Sequence, residues 1–146
     1  MGALHERMKA DMALRNLRPS TQEDYGRVCS AFARWHGRSP ADLGSEEVRA
    51  FLVWLSSERK RSPSTIGVYI AALRFLYGVT LGRPEVMAPF TPPRRVQKLP
   101  QVLTGSEVQA LLAAIQWPKH RALAMILYGA GLRVSEACSL QVTDID

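Results

Sequence analysis

Apolar residues recur at three- and four-residue intervals in four successive segments of the first 82 residues, and this period most constrains the fold. Such spacing places the apolar side chains on one face of an α-helix. Prolines, glycines and polar residues separate the segments. The chain is therefore predicted to be all-α, with residues 3–82 forming a bundle of four short helices. The four stripes are Leu4, Met8 and Met12; Tyr25, Val28, Cys29, Phe32 and Trp35 or His36; Val48, Phe51, Leu52 and Leu55; and Ile66, Tyr69, Ile70, Leu73 and Leu76 or Tyr77.

Small polar residues mark the predicted helix starts, because their side chains accept hydrogen bonds from the unpaired N–H groups of a first turn. Ser20 or Thr21 is expected to cap the second helix, with an acidic residue at capping-box spacing. Ser45 is expected to cap the third helix, and Ser62 or Ser64 the fourth.

The composition of the chain changes after residue 82. Residues 83–100 contain five prolines and four basic residues, which predicts an extended, basic linker. A second unit is predicted over residues 101–146. Its residues 104–107 have the pattern of a capping box. The apolar run 122–128 predicts a helix suited to burial on all sides, but the 146 residues hold no later segment to cover it, so its apolar surface is expected to remain exposed. The predicted organisation is a helical domain over residues 1–82, the linker, and this second unit.

Charge is distributed unevenly along a chain whose net charge is +6. Residues 1–100 hold 16 Lys and Arg against 9 Asp and Glu, a balance of +7, whereas residues 101–146 hold 3 against 4, a balance of −1. A polyanionic partner is therefore favoured, bound by the first hundred residues. The N-terminus lacks a signal-peptide pattern, and no apolar run approaches the ~20 residues of a membrane span, so a soluble cytoplasmic protein is expected.

One segment near the end of the chain, Tyr-Gly-Ala-Gly-Leu-Arg-Val-Ser-Glu over residues 128–136, combines two glycines with an arginine and an acid. The glycines favour the end of one helix and the start of another. Arg133 would then lie at a tight turn, where its planar guanidinium could hold a phosphate through two hydrogen bonds. Glu136 follows one turn later on the same face. From these residues alone, a surface ion pair is the alternative interpretation.

The segment YGAGLRVSEACSL resembles the part of the tyrosine recombinases (phage-integrase family) that holds the first catalytic arginine and its acidic support. Two earlier segments, STQEDYGRVCSAFARW and SPSTIGVYIAALRFLY, resemble the second and fourth helices of that family's SAM-like core-binding domain. The resemblance implies a four-helix core-binding domain followed by a truncated, helical start of the catalytic domain. It also implies an enzyme that cuts and rejoins DNA through a 3′-phosphotyrosyl intermediate, without a metal or nucleotide cofactor.

By this resemblance, Arg133 is the expected phosphate clamp and Glu136 the expected support. The family's other catalytic groups are absent from the 146 residues. None of His5, His36 and His120 has an arginine three positions later, and no tyrosine follows Arg133. The β-hairpin lysine that the family places after its strands is missing too. The chain is therefore expected to be inactive in strand cleavage by itself.

Basic residues near a helix start and in the linker are the predicted DNA contacts. A cationic loop leads directly into the fourth helix, whose N-terminal N–H groups are free to bind a phosphate. A solvated loop without a partner is the plainer interpretation of the same run. The predicted contact residues are Arg59, Lys60, Arg61, Ser64, Thr65, Arg94, Arg95 and Lys98.

Double-stranded DNA is thus the expected partner, with other recombinase protomers a second partner class left open, and neither a membrane nor a small-molecule substrate is expected. Two alternative functions remain at this point. One is a non-catalytic DNA-binding module that competes with an intact recombinase, and the other is a helical fragment that binds only proteins. Cys29 and Cys138 are expected to be reduced core residues, because no disulfide or metal spacing is visible.

Overall fold

The computed structural model describes residues 2–94 and 100–144, and within these ranges it contains helices and no β-strand. The predicted all-α fold is therefore confirmed. The chain divides into two compact units, Met1–Gln97 and Lys98–Asp146. No helix of the described ranges is long and apolar enough to cross a lipid bilayer. The α-helices are α1 (Gly2–Leu14), α2 (Pro19–His36), α3 (Ser45–Ser57), α4 (Pro63–Phe75), α5 (Gly105–Ala114), α6 (Pro118–Ala130) and α7 (Val134–Cys138).

The apolar stripes of α1 to α4 meet in one core in the first unit. Phe32 of α2 is completely buried at its centre, with its ring centroid 5.2 Å from Phe51 of α3 and 6.4 Å from Tyr77. Tyr77 lies in a π-helical turn, Leu76–Thr80, that continues α4. Its hydroxyl donates to the Pro40 carbonyl at 3.0 Å, which satisfies the one polar atom of a buried ring. The stripes thus predicted most members of this core, including Cys29, whereas Leu43, Val86, Met87 and Phe90 belong to it without having been predicted.

The starts of α2 and α3 differ from the predicted caps. α2 begins at Pro19 with Arg18 in the N-cap position, two residues before Ser20, because proline has the φ angle of a helix and needs no N–H partner in the first turn. The predicted cap at Ser20 or Thr21 is therefore wrong. Gly44 rather than Ser45 precedes α3, and its N–H donates to the Glu47 carboxylate at 2.8 Å.

The first part of the predicted linker is folded against the first unit. Residues Pro84–Met87 form a short 3-10 helix, and Val86, Met87 and Phe90 are buried in the core. Arg74 of α4 donates to the Phe90 carbonyl at 2.5 Å. The extended conformation expected from residue 83 is therefore wrong for this stretch. Its three apolar side chains are removed from water in the core, and that burial lowers the free energy of the folded state.

The second unit buries little apolar surface by comparison. Thr104 caps α5 as predicted, since its hydroxyl accepts from the Glu107 N–H and its own N–H donates to the Glu107 carboxylate. Val108 and Ala137 are the buried apolar residues among those described. None of α6 is buried, so the expected exposure of its apolar surface is confirmed for the described residues. Cys138, which was expected in a core, is also exposed, as is Trp117.

We expect amide hydrogen exchange to be faster in α6 than in α2. A helix without buried side chains has little tertiary packing to oppose local opening, whereas α2 contributes five buried residues to its unit. The measurement is hydrogen–deuterium exchange followed by mass spectrometry on the monomeric 146-residue chain. Equal protection of the two helices, with monomeric state verified by sedimentation, would contradict this expectation.

Candidate nucleic-acid interface and phosphate clamp

The N-terminus of α4 is built as the sequence predicted. Ser62 caps it, with its hydroxyl accepting from the Thr65 N–H at 3.2 Å and lying 2.9 Å from the Thr65 hydroxyl. Pro63 occupies the first helical position. The positive end of the helix dipole therefore faces outward at Ser64, next to exposed hydroxyl groups. This arrangement suits a phosphate group.

A groove of about 1220 Å³ runs beside this helix start, with α1, α2 and α4 as its walls. Arg61, Ser64 and Thr65 line it, so three of the predicted DNA contacts face one space. Three further cations that the sequence did not single out, Lys9, Arg27 and Arg34, line the same groove. Two acidic residues, Glu23 and Asp24, also line it.

The groove cations differ in their partners. Among the described residues, Lys9, Arg34 and Arg61 form no ion pair within 4 Å, whereas Arg27 pairs with Asp24 on the next turn of α2. Unpaired cations at an open surface can bind an anionic ligand without first breaking a protein contact. The groove therefore offers three cations and one helix N-terminus to a phosphate backbone.

The other two residues of the basic loop do not line the groove. The guanidinium of Arg59 lies 5.0 Å from the centroid of the Trp54 ring, a cation–π arrangement. Lys60 has a φ of 47°, in the left-handed region, and it turns the chain between α3 and α4. The loop that looks uniform in sequence therefore presents one groove residue, Arg61, because the turn points successive side chains in different directions.

The predicted linker contacts are only partly described. Arg94 is exposed at the end of the first described range. Arg95 and Lys98 lie outside the described residues. Their roles stay predictions.

Two of the three missed cations, Arg27 and Arg34, could have been found from the helical geometry of α2. Positions 23, 27, 30 and 34 recur at three- and four-residue intervals on the face of α2 away from its apolar stripe. The missing information was that α1 and α4 flank this face, which no local pattern in α2 reveals.

In the second unit, Arg133 and Glu136 are joined by two hydrogen bonds, one from the backbone N–H and one from the side chain of Arg133. α6 ends at Gly131, whose φ of 65° is left-handed, and α7 begins after Arg133. The Arg133 N–H donates to Glu136 Oε2 at 2.7 Å, and Arg133 Nη1 donates to Glu136 Oε1 at 2.9 Å. The expected proximity of the two residues is therefore present, and the carboxylate holds one side of the guanidinium.

Hydrogen bonds from the Arg133 N–H and then from its side chain hold the pKa of Glu136 below its usual value. A lowered pKa means that this contact is fully present at neutral pH and is lost only as the pH falls through that lowered pKa. The Arg133 side chain itself is 83% exposed, so the guanidinium can reach a ligand while Glu136 orients it.

The four tyrosines of the chain differ in burial and in their contacts. Burial raises the pKa of Tyr77, and its hydroxyl is occupied by Pro40. Tyr25 and Tyr69 pack against Phe75 and Phe51 in the first unit. Tyr128 is exposed, in the last turns of α6. Within the described residues, no cluster of three His, Cys, Asp or Glu side chains could hold a metal ion.

Comparison with known proteins places both units in one family. Residues 4–85 match the family model "Phage integrase, N-terminal SAM-like domain", and residues 101–146 match "Phage integrase family". The y4qK protein of Sinorhizobium fredii, named as an integrase/recombinase, is 46% identical over 147 residues, covering 100% of this chain and 48% of that protein. The tyrosine recombinase XerA of Thermococcus kodakarensis is 30% identical over 143 residues, covering 97% of this chain and 49% of that protein.

A solved structure has the same fold. The crystal structure of a XerA recombinase matches with a TM-score of 0.53 at 23% identity, over 98% of this chain and 51% of that one. The chain spans about half the length of the curated relatives it matches. With a SAM-like helical unit, the arginine–glutamate pair and these matches together, the chain belongs to the phage-integrase family of tyrosine recombinases.

Proposed function

We propose that this chain is the DNA-binding portion of a site-specific tyrosine recombinase, and that the groove between α2 and α4 holds the phosphate backbone of duplex DNA. The observation that carries the proposal is the convergence of Arg61, Ser64 and Thr65 on one groove. Strand cleavage and rejoining through a 3′-phosphotyrosyl intermediate would be the activity of a longer enzyme that contains this portion. Other recombinase protomers on the same DNA are part of the proposal.

The groove suits a backbone rather than a compact anion. Lys9 extends from α1, Arg34 from α2 and Arg61 from the loop before α4, so the charges are spread over three segments. A duplex presents a row of phosphates, which separate cations can neutralise while releasing condensed counterions. Arg59, Lys60 and Arg94, which do not line this groove, are proposed as flanking contacts, and Arg95 and Lys98 are proposed as linker contacts.

Arg133 is the proposed clamp for the reacting phosphate. A pentacoordinate phosphoryl group carries extra negative charge on its non-bridging oxygens, and a preorganised guanidinium stabilises that charge more than it stabilises the ground state. The Glu136 carboxylate accepts a hydrogen bond from Arg133 Nη1 and so orients the guanidinium before a phosphate binds. This is the preorganisation that a phosphate clamp requires. We propose Glu136 as a positioning residue that acts through Arg133.

The test of the groove is the salt dependence of duplex binding. The logarithm of the affinity should fall linearly with the logarithm of the salt concentration, by about 0.9 per neutralised phosphate. We expect Arg34→Ala and Arg61→Ala each to weaken binding to every duplex and to reduce the slope by about 0.9. Fluorescence anisotropy with a labelled random duplex gives both quantities.

Arg15→Ala is the matched control, because Arg15 is exposed on the same unit and carries the same charge but does not line the groove. It should leave the slope close to that of the parent chain. An affinity that does not change between low and moderate salt would contradict the proposal. A slope reduced equally by the control and by Arg61→Ala would place the DNA elsewhere on the first unit.

A further inference from the structure

We infer that DNA binding in the groove is coupled to the uptake of a proton by His5, so that the affinity for a duplex rises as the pH falls through the neutral range. The inference rests on the proposed function and deepens it, since it adds a contact residue and a regulation to the same groove. Its starting observation is that His5, on α1, lines the groove together with Lys9, Arg34 and Arg61.

The imidazole of His5 lies against α2 at a position without a side chain. A Cβ atom at Gly26 would lie 3.2 Å from His5 Cε1, so the buried glycine leaves the space that the ring needs at the groove wall. The ring of His36 has a partner in the Glu47 carbonyl at 3.1 Å, whereas the half-buried ring of His5 has no hydrogen-bond partner among the described residues. Neither of its nitrogens is a buried atom, so both can reach a ligand in the groove.

The groups around His5 carry charges of both signs. The titratable and charged residues that share the groove with it are Lys9 of α1, Glu23, Asp24, Arg27 and Arg34 of α2, Arg61 before α4, and Tyr69 of α4. The π-helical turn Leu76–Thr80 also packs on α1, but its titratable residue, Tyr77, is buried and donates to the Pro40 carbonyl. A DNA backbone would add charge of one sign only to this mixed surrounding.

A phosphate beside His5 would favour the charged form of the imidazole, because an opposite charge within a few ångströms stabilises it. The charged ring also has two N–H donors for phosphate oxygens, whereas the neutral ring has one. Histidine is the side chain that ordinarily changes charge near neutral pH, so bound DNA and the proton stabilise each other in this range.

The sign of the effect follows from this linkage. Since the bound form holds the proton more firmly than the free form, affinity rises as the pH falls, and it levels off once His5 is charged in the free chain too. One linked proton changes an affinity by at most about tenfold per pH unit. Lysine and arginine stay charged throughout the neutral range, so the other groove cations contribute no such dependence.

The test is the affinity of the 146-residue chain for a labelled random duplex at about pH 8 and about pH 6, at constant salt, by fluorescence anisotropy. The parent chain should bind about three- to tenfold more tightly at the lower pH. His5→Gln cannot take up a proton, so it should bind equally at both pH values and as weakly as the parent does at the higher one. His5→Lys is charged at both, so it should bind at the higher pH as tightly as the parent does at the lower one.

His120→Gln is the matched control, because His120 is exposed in the second unit and does not line the groove. This variant should keep the pH dependence of the parent chain. Circular dichroism at both pH values verifies that each variant remains folded.

The outcomes separate charge from packing. A gain in affinity for His5→Lys at the higher pH, with no pH dependence in His5→Gln, supports the inference, because the contact with Gly26 alone would give no such gain. A pH dependence retained in His5→Gln overturns it, as does a His5→Lys variant that binds no more tightly than His5→Gln at the higher pH. A parent chain whose affinity depends on salt but not on pH overturns it as well and leaves the proposed groove intact. Failure to bind any duplex would refute the groove, and the inference with it.

Discussion

The 146-residue chain should form no covalent adduct with DNA, even on a nicked suicide substrate that traps such adducts. Transesterification requires a nucleophile, a proton donor for the leaving group and charge clamps in one geometry. The chain contains the proposed clamp Arg133 and its proposed support Glu136, whereas no tyrosine follows Arg133 and no histidine has an arginine three positions later. Groups that act as a unit lose most of their rate when any one is removed. Labelled DNA on a denaturing gel should therefore show no protein-linked band.

The informative contrast is the same arginine in two contexts. In the 146-residue chain, Arg133→Lys should leave the gel unchanged. In a longer recombinase that contains these residues and the missing groups, the same change should cost on the order of 2.7–4 kcal/mol of transition-state stabilisation, as for loss of one preorganised donor. A protein-linked band that forms with the short chain and disappears when Tyr128 is changed to phenylalanine would show that the nucleophile is present after all.

Phe32→Ala should destabilise the first unit by about 3–5 kcal/mol. The Phe32 ring is completely buried and lies within 6.4 Å of three other rings, so its removal leaves a cavity that α2, α3 and the turn after α4 all border. Small domains have only about 5–15 kcal/mol of stability in total. The groove should be affected with the core, because α2 forms one of its walls.

The measurement is urea unfolding followed by far-ultraviolet circular dichroism. Val53→Ala is the control, since Val53 is on α3 but 58% exposed, and it should change the unfolding free energy by no more than about 0.5 kcal/mol. Equal unfolding midpoints for the two variants would mean that Phe32 does not organise the core.

Local patterns were sufficient wherever a single element decided the outcome. Helical spacing identified the buried faces of α1 to α4, because a period of three to four residues places side chains on one side of any helix. The caps at Ser62 and Thr104 and the left-handed turn at Gly131 followed equally from short-range hydrogen bonding and glycine geometry. The Arg133–Glu136 contact belongs to the same class, since the two residues are one turn apart.

Patterns failed where burial depended on distant segments. The proline-rich start of the expected linker packs on the core because Val86, Met87 and Phe90 fit against it, and prolines alone cannot indicate this. The apolar helix α6 shows the same dependence, because hydrophobicity states only what a helix can bury, and its expected exposure followed from the lack of a later segment to cover it.

By itself, the sequence determined the fold class, the helical part of the first core and the identity of the arginine–glutamate pair, because each depends on residues close in the chain. Only the tertiary structure decided which cations share a groove. In the structure, Arg61 lines the groove together with Lys9 of α1 and Arg34 of α2. Arg59, two residues before Arg61, lies over the Trp54 ring and does not line the groove. The physical reason is that a binding surface is defined by packing between helices, whereas periodicity describes each helix alone.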